Sequence, residues 1–304
     1  MCGIVGFLDK GGNRQAPVGQ VLLNMLTALG RRGPDSAGVA LYGDPGDGLL
    51  VLRVKLGQQG LAEVQGAQVT ERVKDLASVV KVSLQGEYLC LVVDYQGDAT
   101  RLESVIEAAG EDIEVVSMGR RLEVVKQVGS PENLELTYGI SASVGTHGIG
   151  HTRMSTESRV DLSHSQPFWA HGLPDLAVVH NGHITNYHKL RRRYEQRGHH
   201  FYTENDSEII GLYLAEQMTH GASFTAALQS SLRDFDGAFS YLAATADSLG
   251  FVKDPFGFKP LVVAETAAYV ALATEEIALQ TALGGDFPVW EPGVKQVQTW
   301  QVER

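Results

Sequence analysis

The chain opens with MCGIVGF, residues 1–7, which puts a cysteine directly after the initiator methionine and before a glycine and an apolar run. CGIVGFL reads as a short buried strand. If Met1 is removed, Cys2 becomes the first residue, and its thiol and a free α-amine then sit on the same residue. An α-amine titrates at about 7.7–8.0, so part of it is neutral near pH 7. It can then take the thiol proton, directly or through a water, and activate the sulfur as a nucleophile. The plainer reading is a small residue that happens to follow the start codon, and the rest of the sequence has to decide between the two.

With 304 residues and 43% hydrophobic content, the chain can form one large domain, or one domain carrying a sizeable insertion. A formal net charge of -11 offers no basic footprint for nucleic acid and does not favour an anionic membrane. Arg191, Arg192 and Arg193, with Glu195 nearby, read as a solvated helix face. No apolar run approaches the ~18 residues of a membrane span, and no signal-peptide pattern opens the chain. Cys2 and Cys90 are the only cysteines and make no disulfide framework. Cys90, in YLCLVV, reads as a small buried hydrophobe. A cytoplasmic, reducing setting is expected.

Helices are predicted in NMLTALG, over roughly 186–197, in NDSEIIGLYLAEQM, in SFTAALQSSLRDF and in EEIALQTAL. LAVVHNGHITNY suggests a strand and a turn, with Asn181-Gly182 able to form a type I′ turn between strands. The stretch after residue 236 is rich in strands: GAFSYLAAT, LGFVKD, PLVVAE, AYVALAT and QVQTWQV. Long runs of strands with helices grouped between them suggest stacked sheets flanked by helices. Residues 56–143 differ in texture and read as a small α/β insert of unknown role, with strand, helix, strand and strand in EYLCLVVDY, ATRLESVIEAAG, DIEVVSM and LEVVKQV. Neither GxGxxG nor GxxxxGK[ST] occurs, so dinucleotide and P-loop binding have no support.

Four separated stretches, MCGIVGF, RRGPDSAG (31–38), GHTRMSTES (150–158) and HNGHITNY (180–187), followed by NDSE (205–208), resemble the class II glutamine amidotransferases, which are N-terminal-nucleophile hydrolases. DPFGFKPL (254–261) and ATEEIAL (273–279) resemble later segments of the same family. The resemblance covers about 1–55 and 144–290 and leaves the insert out. It implies an α+β fold, a four-layer α-β-β-α sandwich with the small α/β insertion. Many members have tryptophan after the arginine and histidine after the threonine; here Met154 and Glu157 stand there. The RMSTES wording is nearer to glutamate synthase and places the chain in a glutamate-synthase-like branch.

The resemblance implies a glutaminase. Cys2 would attack the side-chain amide of glutamine, giving a γ-glutamyl thioester and ammonia. Asn181, through its side chain, and Gly182, through its backbone, would donate to the developing oxyanion. Arg153 would bind the α-carboxylate through two parallel hydrogen bonds, with Thr156 adding a hydroxyl. Asp206 matches the position that takes the α-ammonium. The competing role of helix cap falls to Asn205, because Asn205 and Glu208 resemble a capping box. Arg32 and Asp35 read as a structural pair framing the pocket.

A zinc site among His147, His151, His164, His171, His180 and His183 is disfavoured, because no HExxH occurs and no cysteine lies near enough. No cofactor is expected, since no flavin motif is present and two cysteines rule out a four-cysteine cluster. With the sequence ending at 304, soon after the resemblance does, no synthase domain is expected on this chain. The ammonia would then pass to separate synthase subunits, such as a flavin-containing, glutamate-synthase-like or N-methylglutamate-synthase-like partner. The alternatives are an N-terminal-cysteine amidase acting on other amides, and a non-catalytic regulatory relative.

Overall fold

The computed structural model describes residues 2–44, 46, 48–57, 60–155 and 159–303. The chain begins with β1 (Gly3–Asp9), α1 (Val18–Ala28), β2 (Ser36–Tyr42) and β3 (Leu49–Lys55). It continues through α2 (Ala62–Lys74), β4 (Ser78–Gln85), β5 (Tyr88–Asp94), α3 (Ala99–Glu107), β6 (Glu114–Gly119), β7 (Leu122–Val128) and α4 (Pro131–Tyr138). Next come β8 (His147–Arg153), β9 (Phe168–Trp169), β10 (Ala177–Ile184), α5 (Tyr187–Glu195), α6 (Asp206–Thr219) and α7 (Phe224–Asp234). The last elements are β11 (Gly237–Ala244), β12 (Ser248–Lys253), β13 (Val262–Glu265), β14 (Tyr269–Ala273), α8 (Glu276–Ala282), β15 (Val289–Trp290) and β16 (Val297–Gln301).

Among the described residues the strands form three sheets. One has seven strands in the order β15-β13-β14-β1-β8-β2-β7, one has five in the order β16-β12-β11-β10-β9, and one has four in the order β4-β5-β3-β6. Side chains alternate across a strand, so an apolar strand can feed two cores at once. On β1, Ile4 and Leu8 enter the core shared with the five-stranded sheet, whereas Val5 and Phe7 pack beneath α1 and α8. On β11, Leu242 and Ala244 face the shared core, while Phe239, Tyr241 and Ala243 pack under α6 and α7. Burial on both faces is why these strands read as unbroken apolar runs. The layers are therefore α1, α4 and α8, then the seven-stranded sheet, then the five-stranded sheet, then α5, α6 and α7.

The third sheet belongs to the insert, whose edges differ from the range 56–143 read in the sequence. β3 lies inside the insert's sheet, between β5 and β6. β7 returns to the main sheet and pairs with β2 from Ser36–Val128 to Tyr42–Leu122, and α4 packs on β7. A strand's period-2 pattern is the same whichever sheet it joins, so its pairing partner is not written locally. The return is pinned by Asp175, whose carboxylate accepts from the backbone N–H groups of Arg120, Arg121 and Leu122 at 3.1, 2.8 and 2.9 Å. The largest apolar cluster runs without a break from Leu272 and Leu242 through Tyr42 and Val124 to Leu52 and Leu91 of the insert.

Candidate active site

Cys2 stands at the open end of β1, half-buried, with its Sγ 3.8 Å from the Met154 carbonyl oxygen. β1 is fixed between β14 and β8, with Gly3 opposite Thr152. The turn RRGPD packs directly on the end of β8. A Cβ on Gly33 would overlap the peptide joining Thr152 to Arg153, so only glycine lets the two backbones touch. The Asp35 N–H donates to the Arg153 carbonyl at 3.0 Å, and its carboxylate accepts from the Ser155 N–H at 2.7 Å. Asp35 thus splints the chain on both sides of Met154.

Arg32 donates Nε–H to the Cys2 carbonyl oxygen at 3.3 Å, and its guanidinium also pairs with Glu275. Arg32 and Asp35 both border the site, Arg32 through the Cys2 carbonyl and Glu275, and Asp35 through the backbone on either side of Met154. Glu275 directly precedes α8 and comes from the far end of the chain, so spacing alone did not reveal it.

Asn181 and Gly182 do not form a turn. β10 runs straight through them, with Asn181 opposite Ser240 and Gly182 opposite Phe239 on β11. Gly182 has φ 144°, and a Cβ there would collide with the Ala238 carbonyl. Glycine is required by the local strand geometry and not by a reversal of the chain. Asn181 is buried and donates Nδ2–H to the Cys2 carbonyl at 3.2 Å. The nucleophile candidate and the oxyanion candidate are therefore in direct contact.

Arg153 closes β8, buried, and donates to the Arg159 carbonyl at 2.9 Å. Burial pulls its guanidinium below the ordinary value, while Cys2, Asp161 and Asp35 oppose that pull. Asp206 is the first residue of α6. Its neighbour Asn205 caps the helix by accepting from the Ser207 N–H at 3.0 Å, which leaves Asp206 free of that task. Glu208 does not complete a capping box: its carboxylate takes the Tyr202 and Thr203 N–H groups instead. Asp206 accepts from the Ile184 N–H at 2.8 Å and lies 3.5 Å from the Nδ1 atoms of both His180 and His183. Burial alone would raise its carboxyl, but these neighbours hold it below the usual value. Thr156, Glu157 and Met1 lie outside the described residues.

His147 and His151 are buried structural imidazoles, which desolvation pulls down to about 4 and about 3. His147 Nε2–H donates to the Thr245 carbonyl at 2.8 Å, and His151 Nε2–H donates to the His180 carbonyl at 3.2 Å. His171 is drawn into a separate cluster with Glu103 and Glu107 of the insert, where the Nδ1 to Glu103 distance is 2.5 Å. Tyr202 donates to the same two carboxylates, tying α3 to the main body. A cavity of about 550 Å³ lies along this seam, lined by Lys55, Glu107, Glu114, Asp161, His164 and Tyr202. It does not reach Cys2 or Asn181.

Residues 151–281 match the family described as the glutamine amidotransferase domain. A protein of Methanothermobacter thermautotrophicus that carries the provisional name glutamine amidotransferase is 39% identical over 291 residues, covering 93% of this chain and 94% of its own length. The chain belongs to the glutamine amidotransferase family. This amidotransferase is also 33% identical to the glutamine amidotransferase-like protein GlxB of Rhizobium meliloti, over 100% of this chain and 99% of that protein. A solved structure described as the allosteric regulatory enzyme of purine biosynthesis superposes with a TM-score of 0.65 at 18% identity, covering 98% of the amidotransferase and 46% of that chain. The glutamine phosphoribosylpyrophosphate amidotransferase of B. subtilis gives 0.60 at 17% identity, covering 99% of this chain and 49% of its own. At these identities the likeness establishes a shared fold. The amidotransferase spans only about half of either solved chain. Among its described residues no helix is long and apolar enough to cross a membrane.

Proposed function

We propose that the chain is a glutaminase subunit whose nucleophile is Cys2, exposed as the N-terminal residue once Met1 is removed. The α-amine takes the thiol proton, and Sγ attacks the δ-carbon of glutamine. The C–N bond breaks, the nitrogen leaves as ammonia carrying that proton, and a γ-glutamyl thioester remains. Water then cleaves the C–S bond and returns the thiol. Asn181 Nδ2–H and the Gly182 N–H donate to the oxyanion, Arg153 binds the α-carboxylate, Thr156 contributes its hydroxyl, and Asp206 takes the α-ammonium. The released ammonia passes to a separate synthase subunit of the glutamate-synthase or N-methylglutamate-synthase type.

The observation that carries this reading is the convergence on Cys2: Asn181 and Arg32 both hold its carbonyl, and its sulfur lies beside the residue that follows Arg153. Intact mass after expression, followed by treatment with a glutamine-shaped electrophile, tests it. The expected result is loss of Met1, a single adduct on Cys2, and ammonia release from glutamine that Cys2→Ala abolishes. Ammonia release that survives Cys2→Ala ends the proposal. The partner assignment is tested separately, by whether a purified synthase subunit raises glutamine turnover.

A further inference from the structure

We infer that Gln166 is a positioning residue for this site, whose side-chain amide stands in for a missing strand peptide. The inference rests on the glutaminase reading of Asn181 and Asp206. β9 pairs with β10 through Phe168–Val178 and Trp169–Ala177, and the ladder then stops. Pro167 comes next and has no N–H to offer. Continuing the same register outward, Gln166 faces His180, the residue before Asn181.

There the side chain does what a paired backbone would do. Gln166 Oε1 accepts from the His180 N–H at 2.6 Å, and Nε2 donates to the His180 carbonyl at 3.2 Å. Nε2 also donates to Ser207 Oγ at 3.0 Å, and that oxygen lies 2.9 Å from His180 Nδ1. The His180 carbonyl takes a second donor, His151 Nε2–H, from the seven-stranded sheet. Gln166, His180, Ser207 and His151 are all buried, so these bonds do not compete with water. Gln166 is itself pressed against β2, where a Cβ on Gly38 would overlap its carbonyl oxygen.

One amide therefore grips the residue before Asn181 and the residue after Asp206. In the proposed chemistry these two residues meet opposite ends of glutamine, the reacting carbonyl and the α-ammonium. Gln166 sets the spacing between them. Its chemistry is specific: a carboxylate could accept but not donate, and an apolar side chain could do neither.

The test uses the full chain and the variants Gln166→Met and Ser207→Ala. Each is measured for ammonia release from glutamine and for two alkylation rates at Cys2, one with a chloroketone of glutamine length and one with iodoacetamide, which needs only the thiol. Misplacing one end of a bound substrate slows its reaction by about tenfold or more, so the chloroketone rate and kcat/KM should fall by that much in Gln166→Met, while iodoacetamide changes by less than about twofold. Ser207→Ala should shift the same ratio by less, and it decides the matter if Gln166→Met does not fold. Equal slowing with both reagents, or an unchanged chloroketone rate, overturns the role of Gln166. A wild-type chain that releases no ammonia overturns the glutaminase reading instead.

Discussion

Asn181 donates its side-chain N–H to the main-chain carbonyl of Cys2 at 3.2 Å, a contact that spans 179 positions and joins the five-stranded sheet to the seven-stranded one. The two sheets meet at the place where the chemistry is proposed, so the packing of the sandwich and the geometry of the site are one problem. Arg32 reaches the same carbonyl from the α1–β2 connection.

Replacing Asn181 by Ala removes one donor to the proposed oxyanion and one of the groups that hold the Cys2 carbonyl. Losing such a donor costs about 10²–10³ in kcat. Steady-state ammonia release should show that drop in kcat with a much smaller change in KM.

Arg153→Lys keeps the charge but loses the forked pair of donors. Binding lost equally from substrate and transition state appears in KM, so KM for glutamine should rise by about tenfold while kcat changes less. A KM within twofold of wild type, roughly speaking, would remove Arg153 from the clamp.

Gly182→Ala forces a side chain onto the Ala238 carbonyl at a left-handed φ. A strained backbone of this kind costs about 1–3 kcal/mol before the clash is counted. Urea denaturation should show that loss, with activity falling as Asn181 shifts.

Asn205→Ala removes the cap of α6. The helix should lose about 1 kcal/mol, and glutamine should bind more weakly because Asp206 begins that helix. Denaturation and KM measured on the same sample would show both changes.

His147 and His151 set a pH dependence of stability. In the folded chain they titrate at about 4 and about 3, against about 6.5 when unfolded. Above the unfolded value neither state binds the proton, and stability is full. As pH falls below it, the unfolded chain takes protons that the folded chain refuses, so each residue costs about 1.4 kcal/mol per pH unit. The loss from His147 levels off below its folded value. His171 works in the opposite direction: although burial lowers its affinity for a proton, Glu103 raises it further, so its contribution is present at low pH and fades as pH rises. Burial raises the Glu107 and Glu208 carboxyls, which adds stability as pH falls and opposes the two histidines. The loss of urea midpoint between about pH 6.5 and 4.5 should therefore be smaller in His147→Gln than in the wild type, and equal slopes would contradict the assignment.

The sequence carried much of this arrangement. The apolar runs of β1, β11 and β14 are long because both of their faces are buried, and that pattern pointed to stacked sheets. RRGPDSAG and HNGHITNY pointed to the site through their resemblance to a family, and the structure adds that Gly33 and Gly182 sit where backbones touch. Asn-Gly misled, because the same dipeptide serves a tight turn and a strand that must pass close to its neighbour. Arg32 with Glu275 and Gln166 with His180 could not be read, because each pair joins segments brought together only by sheet packing. The insert's edges were hidden for a related reason: β3 and β7 have the alternation of any half-buried strand, and only the folded chain shows which sheet each one chooses.

The unbroken apolar cluster from Leu272 to Leu91 has a thermal consequence. Heat cannot melt the insert and spare the sandwich, because Tyr42 and Val124 would lose their cover along with Leu52. Calorimetry should therefore record one cooperative endotherm for the whole chain. A deletion that trims the insert away would leave an oily wound on the main sheet instead of a tidy, smaller enzyme.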